Sequence, residues 1–427
     1  MSNDNIYINR VSDEASKKSL LKAEADCIST SFSRMETQKN QCGFGTKGVC
    51  CRICHMGPCR ITSKAPVGVC GANADTIVAR NFLREVAAGT AAHSDHGRHL
   101  VLLLKQIGEG VGGDYIIKDH KVLKDAAKKY NIKIEDKPDE QLISEIAELF
   151  LNEFISQETP LKTLQLAPIK RQGIWERTNV EPDGIDRMVV EALHRTHMGV
   201  DHDYKNILLH AFRTALADGW GGSRVASIVS DAMFGSPTPV KSNANLGVLK
   251  EGSVNVVVHG HEPALSEMLA SASQDPEIIQ AAKDVGASGI TLAGICCTAN
   301  EILMRHGIPV AGNFLQQELA VITGAVETMI IDVQCCMPSL PDIASSYHTK
   351  IVSTSEIAKT EGAEHKEFSA RDAYNNAKSI LLESIDNFKN RNKDKVMIPD
   401  DSKPLVAGFS VEAIKYMLGG TFRASFR

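Results

Sequence analysis

The sequence predicts a multi-domain protein: an N-terminal α-helical domain with a cysteine-rich insert, then a Rossmann-like α/β domain and the first βα unit of a second one. Three observations carry this expectation. Apolar residues recur at helical spacing through the first half, and six of the eleven cysteines crowd between Cys42 and Cys70. After about residue 240 come three β-branched apolar runs without polar alternation, as in buried parallel strands. They are VNVVVHGH (254–261), GITLAGICC (289–297) and TMIIDVQCC (328–336). A chain of 427 residues is also long enough for two or three domains.

Taken in order, residues 1–40 are polar, with helix expected around Ser16–Arg34, and lead into a Gly/Cys-rich loop region at 41–72. From Ala74 the apolar positions Ile77, Val78, Phe82, Val86 and Ala87 predict a helix running past His99 to about Gln106, closed by Gly108–Gly113. Segments 119–156 and 185–218 also read as helices, with stripes such as Ile143, Ile146, Leu149, Phe150 and Ile207, Leu208, Phe212, Leu216. Residues 1–239 are therefore assigned to the helical domain. Each later apolar run is followed by a helical stretch, such as Ala264–Ala272 and Ala299–Arg305, which makes 240–400 a βαβ-type domain. At 401–427, LVAGFS reads as a strand and VEAIKYML as a helix. Such a pair either joins the preceding sheet or opens a further domain. The second is expected, because TFRASFR, after Gly419–Gly420, brings no capping pattern.

Composition narrows the function. With 43% hydrophobic and 23% charged residues the chain has the balance of a globular protein. A net charge of −5 gives no electrostatic case for nucleic acid. No stretch approaches the roughly 18 apolar residues of a membrane span, and MSNDNIYINR lacks a signal pattern. A cytoplasmic location is expected. Clustered cysteines in such a chain point to metal rather than to disulfides.

The densest cluster is Cys42, Cys50, Cys51, Cys54, Cys59 and Cys70, within a segment that includes CGFGTKGVCCRICHMGPCR. Thiolates converging on a cubane need tight turns between them, and Gly43, Gly45, Gly48, Gly57 and Pro58 permit those turns. Zinc also takes four thiolates but usually through two CxxC pairs. Only Cys51 and Cys54 form one here, so iron–sulfur is favoured. Cys51, Cys54, Cys59 and Cys70 make a quartet for one 4Fe–4S cluster. Cys42 and Cys50 are left over, and two per chain become four where two chains meet at a two-fold axis.

A second constellation is expected at the carboxyl ends of the three strands, where parallel sheets place their ligands. There stand His259 and His261, Cys297 and Cys335, a soft donor set suited to Fe, Ni, Cu(I) or Zn. A third feature is AAHSDHGRHL, whose His93, His96 and His99 at i, i+3 and i+6 lie along one face of a helix. That row suits a proton relay, or it is a solvated polar face.

These strings together (the cysteines of 42–70, AAHSDHGRH, NVVVHGHEP, GICCTANE, LMRHGIP and DVQCC) resemble the catalytic subunit of anaerobic nickel–iron carbon monoxide dehydrogenase, from about residue 36 onward. The related hybrid cluster proteins are a weaker match to the double cysteine at 50–51. The resemblance implies a homodimer in which Cys42 and Cys50 ligate an iron–sulfur cluster shared between subunits. Cys51, Cys54, Cys59 and Cys70 would hold the 4Fe–4S relay cluster within the subunit. His261, Cys297 and Cys335 would ligate the nickel–iron–sulfur active cluster. His93 would be the acid/base histidine beside it, with His96 and His99 leading outward; where the family's row can carry a further histidine, this chain has Leu102.

The implied reaction is CO + H2O → CO2 + 2 H+ + 2 e−, reversible, with electrons passed to a ferredoxin-like carrier. An acetyl-CoA synthase subunit is a further partner within the family. The family completes its active cluster with more cysteines and a lysine in a second Rossmann-like domain, expected to begin at LVAGFSVEAIKYML. No cysteine follows Cys336, so activity of this chain alone is expected to be impaired. The alternatives are a non-catalytic iron–sulfur electron carrier or assembly partner, and a hybrid-cluster-type hydroxylamine reductase. Cys296 is either a spare ligand or a packed neighbour, and Cys27 and Cys336 have no assigned role.

Overall fold

The computed structural model describes residues 8–157 and 160–418, and they form two compact units. One contains Asn40–Gly112 and Ile116–Met233. The other contains the residues up to Lys39, Gly113–Tyr115 and those from Phe234 onward. The first seven residues of MSNDNIYINR and the stretch from Gly419 through TFRASFR lie outside the described residues.

The first unit is built on one helix, Ala74–Gly108, of 35 residues. Asn73 caps it by accepting from Thr76 N–H at 2.9 Å. Its stripe of Ala79, Leu83 and Ala87 packs against Ala192 and Ala211 with Ile207, small residues that let the helices Ile185–Arg195 and Tyr204–Leu216 approach closely. The helical region 119–156 is two helices, His120–Lys129 and Asp139–Ile155. Left-handed Asn131 and Asp136 and then Pro138 break the path between them. After Leu216 the chain makes one π-helical turn, Ala217–Gly222. There a Cβ on Gly222 would stand 2.8 Å from Ser94 Cα, so only glycine lets this turn sit on the long helix. The cysteine-rich loop carries a minimal hairpin, β1 (Cys50–Cys51) and β2 (Cys59–Arg60).

The second unit is an α/β sandwich. Its strands are β3 (Val240–Ala244), β4 (Val254–Gly260), β5 (Ile290–Ile295), β6 (Val310–Gly312), β7 (Val326–Ile331), β8 (Lys350–Ser353), β9 (Glu364–His365) and β10 (Lys403–Ala407). The sheet order is β10-β3-β6-β5-β4-β7-β8-β9, parallel except for β10. The run β6-β5-β4-β7-β8-β9 is the 3-2-1-4-5-6 order of doubly wound folds, with its switch point between β4 and β7. Every residue of β4 is buried. Val256 and Val258 face a cluster with Leu265, Leu269, Ile380 and Leu381; Val257 faces the other side with Leu319, Ile322 and Leu340. Two-sided burial is why this strand reads as an uninterrupted apolar run.

One segment lies elsewhere than the sequence suggests. Residues up to Lys39, expected with the helices, belong with the sheet. Asn245 donates to Asp13 at 2.7 Å, and Arg34 pairs with the fully buried Glu318. The helix expected over Ser16–Arg34 is Glu14–Ala25 and Ser31–Thr37, parted after left-handed Cys27. Lys403–Ala407, the strand expected at the start of the last βα unit, pairs antiparallel with β3 at the sheet edge, where that edge offers unpaired backbone groups.

Candidate metal centres

In the hairpin Cys51 stands opposite Cys59. Successive strand residues leave opposite faces, so Cys50 turns away from the side that Cys51 takes. Cys51 is buried and Cys50 half-buried. Asn81 of the long helix fixes this hairpin, donating to the carbonyls of Gly48 (2.9 Å) and Cys50 (3.1 Å). Adjacent cysteines thus serve two different places.

Cys51, Cys54, Cys59 and Cys70 line one cavity together with Ile77 and Arg80. Val69 N–H donates to Cys59 Sγ at 3.4 Å. Arg80 is fully buried, and its Nε has no hydrogen-bond partner among the described residues. Among those residues no three His, Cys, Asp or Glu side chains close on one point as a single-ion cage. A cubane takes each thiolate on a different iron, so four thiols around a cavity, with an N–H donor to sulfur and a buried cation, suit it. Cys42, in contrast, is exposed; N–H groups of Gly45 and Phe44 hold its thiol below the ordinary value.

The second centre lies at the switch point of the sheet. The strands end earlier than the sequence suggests, at Gly260, Ile295 and Ile331. Cys296 and Cys297 open the helix Cys296–His306, and Cys335 and Cys336 lie in the loop after β7. Three non-glycine residues there are left-handed: Cys296 (φ 64°), Gln334 (φ 64°) and Cys335 (φ 58°). Such conformations cost about 1–3 kcal/mol each and concentrate at functional sites.

The loops are held by buried polar groups. Asp332 accepts from the backbone N–H of His261 at 2.7 Å and of Glu262 at 3.1 Å, and from that of Val333. Thr298 Oγ1 donates to it at 3.4 Å. Gln317, with no exposed surface, donates to the Cys335 carbonyl at 2.8 Å and accepts from Met337 N–H at 2.7 Å. Its Oε1 also lies 3.0 Å from His259 Nε2.

The two histidines of HGH therefore part: His259 is tied into the core, and His261 Nδ1 donates to the Val333 carbonyl at 3.1 Å. Since a carbonyl only accepts, the lone pair of neutral His261 is on Nε2, the nitrogen through which it could ligate a metal. Cys297 and Cys335 are exposed, and Cys296 and Cys336 half-buried. Burial pushes the Cys296 thiol up to about 12, with the charges of Cys335 and Cys297 adding, and raises Cys336 too. Burial and then the Glu262 charge push Asp332 up to about 7, against the N–H groups that draw it down. Crowded thiols of this kind need a metal's positive charge to stay ionised.

His93, His96 and His99 all lie on the helix Ala74–Gly108. His93 is exposed and the other two half-buried. His93 Nδ1 stands 3.1 Å from Asp218 Oδ2, on the π-helical turn, and Ser223 Oγ holds the other oxygen of Asp218 at 3.2 Å. His99 Nε2 is 3.8 Å from Asp95. Asp218, Asp332, Gln317 and Arg80 escape a reading of the sequence. Only Asp332, at the end of a strand run and just before VQCC, carries a local signal.

Comparison with known proteins agrees with this geometry. The chain is 52% identical over 412 residues to carbon monoxide dehydrogenase 1 of Methanosarcina mazei, covering 96% of this chain and 66% of that protein. It superposes with a TM-score of 0.95 on as-isolated, nickel-free carbon monoxide dehydrogenase from Thermococcus sp. AM4, at 49% identity, covering 97% of this chain and 67% of that one. A structure of acetyl-CoA synthase/carbon monoxide dehydrogenase matches with a TM-score of 0.93 and 40% identity, over 96% of this chain and 62% of the other. The chain thus spans about two thirds of the length of the proteins it matches. The model of the Prismane/CO dehydrogenase family matches residues 49–418. With the cysteine cavity in place and the segments of His261, Cys297 and Cys335 gathered at the switch point, the chain belongs to the Prismane/CO dehydrogenase family.

Proposed function

We propose that this chain carries the carbon monoxide dehydrogenase reaction, CO + H2O → CO2 + 2 H+ + 2 e−. The observation that supports it most is the chain just after β4, β5 and β7 (a loop, the first turn of a helix and a loop), which brings His261, Cys297 and Cys335 to the carboxyl ends of adjacent parallel strands. In this reading those three residues ligate a nickel–iron–sulfur cluster. When bound, that cluster supplies Lewis acidity toward water and a redox centre for the two electrons. His93 moves protons through Nε2, because its Nδ1–H is committed to Asp218, which fixes the tautomer. His96 and His99 carry protons onward along the same helix. Cys51, Cys54, Cys59 and Cys70 hold the 4Fe–4S relay cluster. The buried charge of Arg80 offsets that of the four thiolates.

Cys42 and Cys50 ligate an iron–sulfur cluster shared with a second copy of the chain, and a ferredoxin-like protein in the cytoplasm takes the electrons. An acetyl-CoA synthase subunit is a further partner, in keeping with the synthase-containing structure that this chain resembles. Among the described residues no helix is long and apolar enough to cross a membrane.

The test is anaerobic purification of the 427-residue chain, with nickel and iron measured per chain beside methyl-viologen-coupled CO oxidation. Nickel near one per chain with turnover would carry the catalytic reading and would mean that His261, Cys297 and Cys335 suffice to hold the active cluster. Iron without nickel, and no turnover, would make this chain an electron relay and sink the catalytic reading.

A further inference from the structure

Three backbone segments bear the residues assigned to the active cluster, and one carboxylate touches all three. Asp332 Oδ1 accepts from His261 N–H at 2.7 Å and from Val333 N–H. Its Oδ2 accepts from Glu262 N–H at 3.1 Å and from Thr298 Oγ1 at 3.4 Å. The first contact holds the loop after β4 at His261. The second holds the start of the loop that reaches Cys335, and Thr298 holds the first turn of the helix that begins Cys296–Cys297. Asp332 is buried. The backbone has been shaped around it: Gly260 runs at φ 139°, and a Cβ there would lie 1.7 Å from Asp332 Oδ1. The same two loops are also tied by the His261–Val333 bond at 3.1 Å.

Resting on the functional reading above, we propose that Asp332 is the positioning residue of the active centre. Its carboxylate clamps together the segments that present His261, Cys297 and Cys335, so that the three donors meet the cluster in one fixed arrangement. Asp332 is not itself a ligand in this proposal. It works as an outer partner that orients ligands, a role whose loss typically lowers metal affinity about 10- to 100-fold.

Two variants separate the halves of the clamp. In Asp332→Asn the remaining carbonyl oxygen can still accept from His261 and Val333. The new amide would face Glu262 N–H donor to donor, while the Thr298 hydroxyl can turn to accept from it. In Asp332→Ala every acceptor is gone. Amide hydrogen exchange on the anaerobically purified chain should therefore speed up at Glu262 in Asp332→Asn, and at His261, Glu262 and Val333 in Asp332→Ala. A variant that is globally unfolded would instead lose protection along β4 and β7 as well.

Nickel per chain should fall at least about fivefold in Asp332→Ala, with the iron of the 42–70 clusters retained as the internal reference. Unchanged exchange at Glu262 in both variants would overturn the proposal. So would faster exchange with nickel content equal to wild type, since the clamp would then position nothing. Absence of nickel from the wild-type chain overturns the functional reading instead, and the exchange pattern by itself still upholds or refutes the clamp.

Discussion

A methyl group at position 260 would occupy the space of the Asp332 carboxylate, and the backbone there lies at φ 139°, outside what side chains tolerate. Gly260→Ala should therefore lower stability by about 3 kcal/mol or more, as overpacking and backbone strain add. Urea unfolding of the anaerobically purified protein measures it; a loss below about 1 kcal/mol would mean that the loop yields easily. The sequence displays HGH and invites attention to its histidines, yet the glycine between them is equally constrained. The reason is a residue 72 positions later, and distance along the chain hides such a pairing. The same holds for His93, visible as one of a row, and Asp218, whose role comes from the π-helical turn that carries it.

At the scale of elements, periodicity located the long helix almost to its ends, because its buried stripe repeats over 35 residues. It misjudged the strand ends at 295 and 331, where the runs read on into Cys296–Cys297 and Asp332–Val333. The helix Tyr204–Leu216 makes a further test possible. His210 on it is buried; its Nε2–H donates to the Met188 carbonyl at 3.0 Å, and its Nδ1 has no hydrogen-bond partner among the described residues. Burial holds its pKa below 6.5, although the Met188 carbonyl and Glu191 work the other way. As pH falls through 6.5, the unfolded chain takes up a proton that the folded chain refuses, so stability is lost on acidification and restored above that value. The slope should reach up to about 1.4 kcal/mol per pH unit below about pH 6.5. His210→Gln, which keeps a donor for Met188, should flatten that part of a plot of unfolding free energy against pH. An unchanged slope would assign the dependence to other groups.

For the molecule as a whole, the α/β unit has a different character at the two ends of its sheet. The carboxyl ends of β4, β5 and β7 carry the candidate centre. The amino ends are knotted by a buried ion pair: Arg391 donates to Glu327 at 2.7 and 2.6 Å, and to the Ser253 and Ala325 carbonyls at 2.7 and 2.9 Å. His348 Nε2 stands 2.8 Å from the same carboxylate. Arg391→Met strands a buried carboxylate and should cost about 3–5 kcal/mol, while Glu327→Leu with Arg391→Met should recover much of it. Thermal unfolding of the two variants decides, and a harmless single variant would mean that Glu327 finds another cation or a proton. Metal content per folded chain should not change, because the knot lies at the far end of the strands.

The sequence by itself determined that helices and a mainly parallel α/β sheet are combined in one chain, and it marked the two cysteine-bearing regions. Both are local facts: buried strands need β-branched apolar runs, and thiolates that share a cluster need glycine-rich turns between them. It also carried the family, through short strings such as NVVVHGHEP, GICCTANE and DVQCC. Only the tertiary structure decided that Cys50 and Cys51 part to opposite faces, that His259 turns to Gln317 while His261 turns to the Val333 carbonyl, and that Lys403–Ala407 pairs with β3. It alone decided, too, that Asp332 and Gln317 hold the segments that bear His261 and Cys335. Each of these rests on a hydrogen bond or a strand pairing between residues distant in sequence, and such contacts leave no periodicity to read.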